Sequence, residues 1–143
     1  MQAMEVSRSG MDVEWRRLEV ISSNLANMST VRTATGEVYQ PMRLLSGPKA
    51  GFAAYLHGDR SNKATLSGVT VYGVEPLNLP PKVAYQPGDP QADAKGFVSY
   101  PGVDHAEEMT LMVKTARAYE ADIVAMNSAR QMYMKAIELG KST

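Results

Sequence analysis

No cysteine occurs in this chain, so neither a disulfide nor a thiolate metal site is open to it. That absence leaves the compartment undecided, because an exported protein can manage without disulfides. Net charge is missing too: fifteen basic residues balance fifteen acidic ones. Without a field of one sign the chain has nothing to draw in nucleic acid or an anionic membrane, and copies of it repel one another little. Long apolar runs are also lacking. None approaches the ~20 residues of a spanning helix, so no direct membrane insertion is expected. Glu5, Arg8, Asp12, Glu14, Arg16 and Arg17 interrupt any secretory h-region. If the protein leaves the cytoplasm, its route must be one that cleaves no such signal.

Catalytic signatures are equally sparse. The glycine-rich stretches lack the strand–turn–helix setting and the lysine of a phosphate-binding loop, and no serine stands in a nucleophile elbow. Basic residues are dispersed rather than striped between aromatics, which argues against nucleic acid. Asp104, His105 and Glu108 form the one cluster able to ligate a metal, His105 and Glu108 sharing a helix face at i, i+3. A third fixed ligand is not in sight, and helix capping explains Asp104 and Glu107 more simply. Glu107 and Glu108 are neighbours, about 100° apart on a helix, and do not converge as an acid/base pair must. His57 lies among Gly58, Asp59 and Asn62 and reads as a solvated turn residue. The sequence therefore assigns no catalytic residue, no cofactor and no metal. A small metal-dependent enzyme on Asp104, His105 and Glu108 is the alternative from another class, and a soluble helical chaperone or adaptor is a third.

What the chain does have is two amphipathic ends. Between Met109 and Ile137 the spacing 3,4,3,4 selects Met109, Met112, Ala116, Tyr119, Ile123, Met126, Arg130, Tyr133 and Ile137, all apolar or tyrosine except Arg130. This is the seam of a coiled coil. A looser version at the other end runs through Met4, Met11, Trp15, Leu18, Ile21 and Leu25. Most of the ten methionines fall in or beside these segments, which suits helices that must match several non-identical neighbours. The first helix is expected from Met1 to about Ala26. Gly10 marks either a close helix contact or the true start, and Asn27 is placed for a left-handed C-cap. Asp104 and Glu107 have the spacing of a capping box, their carboxylates and that of Glu108 suit the positive end of the dipole, and Gly140 is expected to end the last helix. Trp15 is read as an intersubunit anchor or a plain core residue. Asn24 and Asn27 bond a neighbour's backbone or merely taper the helix, and Arg130 pairs across an interface or turns to solvent.

The middle is turn-rich. Thr35-Gly36, Ser46-Gly47-Pro48, His57-Gly58-Asp59, Ser67-Gly68, Pro80-Pro81, Pro87-Gly88-Asp89-Pro90 and Lys95-Gly96 read as turns or loops. Strands are expected at Glu37–Leu45, Phe52–Leu56, Val69–Val74, Val83–Tyr85 and Phe97–Tyr100, with Pro41 confining the first to an edge or bulge. The fold class is α+β: N- and C-terminal helices paired as a coiled-coil-like unit, with a small β-rich central insert. The divisions are 1–29, 30–103 and 104–143.

Three stretches carry a family resemblance. The first is Gly10-Met11, Arg17-Leu18 and Ser23-Asn24-Leu25-Ala26-Asn27. The second runs from Tyr85 to Val98 and on through Tyr100-Pro101-Gly102-Val103-Asp104 to Glu108-Met109; the third is Ala116-Arg117-Ala118-Tyr119-Glu120-Ala121. Together they resemble the bacterial flagellar basal-body rod proteins, and the second stretch is similar to a subunit of the proximal rod rather than to its neighbours. Asp89, Gly102 and Asp122 depart from the family, which usually has Asn or His, Asn, and Asn there. The resemblance implies a structural subunit that polymerises helically around a central export channel and transmits torque from motor to hook. Another rod or hook axial subunit is the alternative within the class. It implies assembly with copies of itself, other rod proteins, a base-of-rod adaptor and the export gate, in the periplasmic span of the rod, after flagellar type III export without cleavage. The expected assembly interface is Met11, Trp15, Leu18, Ile21, Asn24, Leu25, Asn27, Met109, Met112, Ala116, Tyr119, Ile123, Met126, Arg130, Tyr133 and Ile137.

Overall fold

The computed structural model describes residues 2–31, 37–49 and 67–141. Helix α1 spans Gln2–Ala26 and helix α2 spans His105–Lys141, with strands β1 (Met42–Pro48), β2 (Val69–Pro76), β3 (Lys82–Tyr85) and β4 (Phe97–Tyr100) between them. This is the expected α+β arrangement of terminal helices around a small β-rich insert. The expected strand Phe52–Leu56, the turn at His57 and the Thr35-Gly36 turn lie outside the described residues.

Proline decides where the first strand begins. Pro41 has no N–H for a ladder, so β1 opens at Met42, after it, and the chain stays extended through Gly47 and Pro48, where a turn was expected. β1 pairs with β2, and β3 pairs with β4. The second pair is antiparallel, with Lys82 opposite Tyr100 and Tyr85 opposite Phe97. Its connection is organised by Asp93, whose Oδ1 accepts from the amides of Lys95 at 2.8 Å and Phe97 at 2.9 Å. Gly96 supplies the positive φ of +81° that closes the loop.

The helix ends correct two expectations. Asn27 is not left-handed; among the described residues Asn78 is the one non-glycine with positive φ. Asn27 instead folds its side chain back, Nδ2 donating to the Ser23 carbonyl at 2.9 Å. Gly140 does not stop α2, which continues to Lys141. A lone glycine costs a helix only ~1 kcal/mol and is tolerated where nothing else opposes the helix.

The chain divides into two compact units, each drawing on both ends of the sequence. One comprises Met1–Arg16, Leu45–Gly73 and Thr115–Thr143; the other comprises Arg17–Leu44 and Val74–Lys114. The apolar core is thin. Among the described residues, Val13, Ile21, Val98 and Val103 are the buried hydrophobic side chains. At ~1.5–3 kcal/mol each, such a core leaves much of the stability to polar contacts and to whatever else covers the helices.

Candidate assembly surface

Within the second unit the end of α1, the start of β1 and the first turn of α2 meet at Asn24, which is 1% exposed. Its Nδ2 donates to the Met42 carbonyl at 2.8 Å and to Glu108 Oε1 at 3.1 Å. Its Oδ1 accepts from the Met42 amide at 2.9 Å and the Tyr39 hydroxyl at 3.0 Å. All four hydrogen-bonding positions of the amide are thereby filled. Asn24 thus bonds the backbone of its own chain, where a neighbour's backbone or a mere helix taper was expected.

Glu108 is 7% exposed, and its buried Oε2 has no hydrogen-bond partner among the described residues. Burial raises its carboxyl above the ordinary range; the Asn24 bond opposes this, and the neighbouring charge of Glu107 adds to it. Asp104 behaves oppositely. Its Oδ1 accepts from the Glu107 amide at 3.1 Å and the Ala106 amide at 2.9 Å, and these bonds hold its carboxyl below the ordinary value. Asp104 is thus the N-cap of α2 and Glu108 is turned onto Asn24, while His105 is exposed. Among the described residues no three of His, Cys, Asp and Glu gather to hold a metal.

Beside this junction lies a cavity of about 340 Å³. Ile21 from α1, Leu77 and Leu79 from the loop after β2, and Leu111 from α2 give it apolar walls. Asp104, Glu107 and Glu108 also line it, as do Arg17 and Arg43, with Arg43 held in an ion pair with Glu75.

Gly102 lies in the same unit, where a Cβ would stand 2.5 Å from the Pro80 carbonyl oxygen, so glycine admits the Pro80 backbone. Asp89 forms a local turn, its Oδ1 accepting from the Gln91 amide at 2.8 Å.

Within the first unit the helices meet at Gly10 and Asp122. A Cβ on Gly10 would stand 2.5 Å from Asp122 Oδ2, so Gly10 marks a close contact rather than the helix start. Trp15 and Tyr119 bring their rings to 6.2 Å. Ser9 Oγ accepts from the Val69 amide at 3.0 Å, fastening β2 to α1.

On α2 the covered positions are Glu108, Met112, Thr115, Tyr119, Asp122, Met126 and Ala129. Their spacing is still 4,3,4,3, but every second member stands one residue before the seam read from hydrophobicity. Ala116 and Ile123 flank this face and are part-covered, whereas Met109, Arg130, Tyr133 and Ile137 are exposed. On α1, Ile21 and Asn24 are buried; Met11, Leu18, Leu25 and Asn27 are part-covered; and Trp15 is 55% exposed. Sequence reasoning missed Tyr39 and Met42 as partners of Asn24, and Thr115 and Asp122 as contact positions. Every residue from Gln131 to Lys141 is exposed, Met132 and Met134 by 65% and 51%. Among the described residues no helix is long and apolar enough to cross a membrane.

Comparison with known proteins places both ends. Residues 4–32 match the family described as flagella basal body rod protein, and residues 94–139 match the flagellar basal body rod FlgEFG protein C-terminal family. The chain is 36% identical over 145 residues to flagellar basal-body rod protein FlgC of Bacillus subtilis, with 97% of each chain covered. It is 33% identical to FlgC of Borreliella burgdorferi, covering 96% of this chain and 95% of that one. To FlgC of Escherichia coli it is 30% identical, covering 99% and 98%.

Proposed function

The chain belongs to the FlgC family of flagellar basal-body rod proteins and is a structural subunit of the proximal rod, and on that premise we propose that it polymerises helically around a central channel and carries torque from motor to hook. The observation that supports this most is the division of labour along the terminal helices. α1 and α2 close on each other at Gly10–Asp122 in one unit and at Asn24–Glu108 in the other, yet the last turns of α2 are exposed along their whole circumference. A helix with Met132, Met134 and Ile137 in water is marginal by itself and gains most of its order from packing.

In this reading residues 1–29 and 104–143 form the axial element and 30–103 form the insert beside it. The assembly interface is drawn from the sixteen residues from Met11 to Ile137 named above: the exposed Trp15, Met109, Arg130, Tyr133 and Ile137 offer it, the part-covered ones support them, and Ile21 and Asn24, buried within the chain's own fold, hold the helix pair together. Partners are copies of the chain, other rod proteins, a base-of-rod adaptor and the export gate. Export proceeds through the flagellar type III apparatus without cleavage, and the protein carries out no catalysis. A torsion-bearing tube needs subunits that are weakly ordered alone and rigid together, and a thin core with a long unsheathed helix meets both needs.

Electron microscopy of isolated basal bodies, with and without the gene, tests the reading. Proximal-rod density present with the gene and missing without it is the expected result. Intact rods lacking the protein would refute it.

A further inference from the structure

The acid-lined cavity at the Asn24–Glu108 junction and the exposed end of α2 are complementary in character. The cavity offers apolar walls from Ile21, Leu77 and Leu79, with Asp104 and Glu107 at the start of α2. Glu108, 7% exposed, is also among its lining residues, and its buried Oε2 has no hydrogen-bond partner among the described residues. A buried carboxylate oxygen of this kind costs stability until a donor reaches it. Of the two cavity arginines, Arg43 is engaged with Glu75. Three carboxylates thus line the cavity against two arginines, one of them already paired, and a fitting occupant brings apolar side chains together with cationic or N–H donors.

The chain carries such a segment. Its last turns present Met132, Met134 and Ile137 beside Lys135 and Lys141, all exposed. We infer that the cavity between the end of α1, the start of β1 and the first turn of α2 receives the Met132–Lys141 end of α2 from a second copy of this chain. The inference rests on the rod-subunit reading and adds the identity of one self-contact. Cavity and helix end are different surfaces, so the contact is heterologous: each copy gives its tail to one neighbour and receives the tail of another. Repetition of such a contact generates an open helical array rather than a closed dimer, which is the symmetry a rod requires. Zero formal net charge leaves little repulsion to oppose it.

Because the chain has no cysteine, thiol cross-linking in the full-length protein is free of background from the chain itself. One chain carries Leu79→Cys, at 38% exposure on the cavity wall, and another carries Met134→Cys, at 51% exposure on the tail. The two are co-expressed in flagellated cells lacking the native copy, basal bodies are purified, and a short bis-maleimide is added. The expected product is a dimer of this chain in the mixture, on the order of tenfold above either variant alone. Glu107→Lys in the Leu79→Cys chain should remove most of that dimer, and Lys135→Glu in the Met134→Cys chain should restore it. Both variants present in basal bodies without a dimer, or each linked to a polypeptide of another mass, overturns the contact while the rod reading stands. Absence of the protein from basal bodies overturns both.

Discussion

Asn24 grips Met42 by both backbone groups, donating to its carbonyl and accepting from its amide, as the edge of a neighbouring strand would. A helical side chain thereby does for Met42 what a second flanking strand would, and Tyr39 and Glu108 complete its shell. The end of α1 is bolted to the first residue of β1 and to the first turn of α2 at one atom group.

Replacing Asn24 should therefore be among the most damaging single changes. Asn24→Ala strands the amide and carbonyl of Met42 and deepens the isolation of Glu108, at an expected cost of about 2–4 kcal/mol. Asn24→Asp should be at least as harmful, because it removes both N–H donors and sets a second carboxylate against Glu108. Urea denaturation of the purified chain, following helix by circular dichroism, measures both.

Glu108 makes stability depend on pH with a definite sign. Its carboxyl is raised above the ordinary 4.5 by burial, so the native state holds the proton more tightly than the unfolded chain. The associated stability is fullest below the unfolded value, falls as pH rises through the raised native value and is flat above it. Asp104, lowered from 3.8, contributes in the opposite sense: its stabilisation is present above that value and is lost as pH falls through the native one. Glu108→Gln should remove the fall on the alkaline side and raise stability at neutral pH, while the acid-side loss from Asp104 persists. Denaturation midpoints across a pH series read out both arms.

Gly10 and Asp122 form a coupled pair. Gly10→Ala gains helix propensity of about 1 kcal/mol, but its Cβ meets Asp122 Oδ2 at 2.5 Å. The gain should be cancelled in the native chain and recovered in an Asp122→Ala background. A double-mutant cycle with additive effects would show that the two helices do not touch there.

Gly102 faces an obstacle that cannot swing aside. The atom in the way of a Cβ is the Pro80 carbonyl oxygen, which is backbone. Gly102→Ala is expected to cost about 1–3 kcal/mol, by the mechanism of an overfilled site. Gly88, where a Cβ meets nothing within 4 Å, is the control and should accept alanine with little change.

These contacts also show which features the sequence could carry. β4 is found at Phe97–Tyr100 as expected, and β2 and β3 within two residues of expectation, because turn residues at Ser67-Gly68, Pro80-Pro81 and Lys95-Gly96 bracket them. The helix pair was legible from periodicity. Its rotation was not: hydrophobicity favours Met109, Ala116 and Ile123, whereas the covered face runs through Glu108, Thr115 and Asp122. Glu108 and Asp122 reach that face because Asn24 and the bare backbone at Gly10 lie opposite them, and no one-dimensional pattern links positions so far apart in the chain. Asn24 stood out within Ser23-Asn24-Leu25-Ala26-Asn27, but its bond to Glu108 spans 84 residues. Likewise Pro41 pointed to a disturbed strand without showing that the strand would simply begin after it.

Oxidation of the exposed methionines tests the central claim most directly, that the end of α2 is bare in the single chain and covered in the assembly. Met132 and Met134 are read against part-covered Met126 under limiting hydrogen peroxide, in the purified monomer and in isolated basal bodies. In the monomer both should oxidise faster than Met126, and in the rod both should slow by on the order of tenfold. Equal rates in the two states would contradict the account, since the exposed end of α2 would then take no part in assembly.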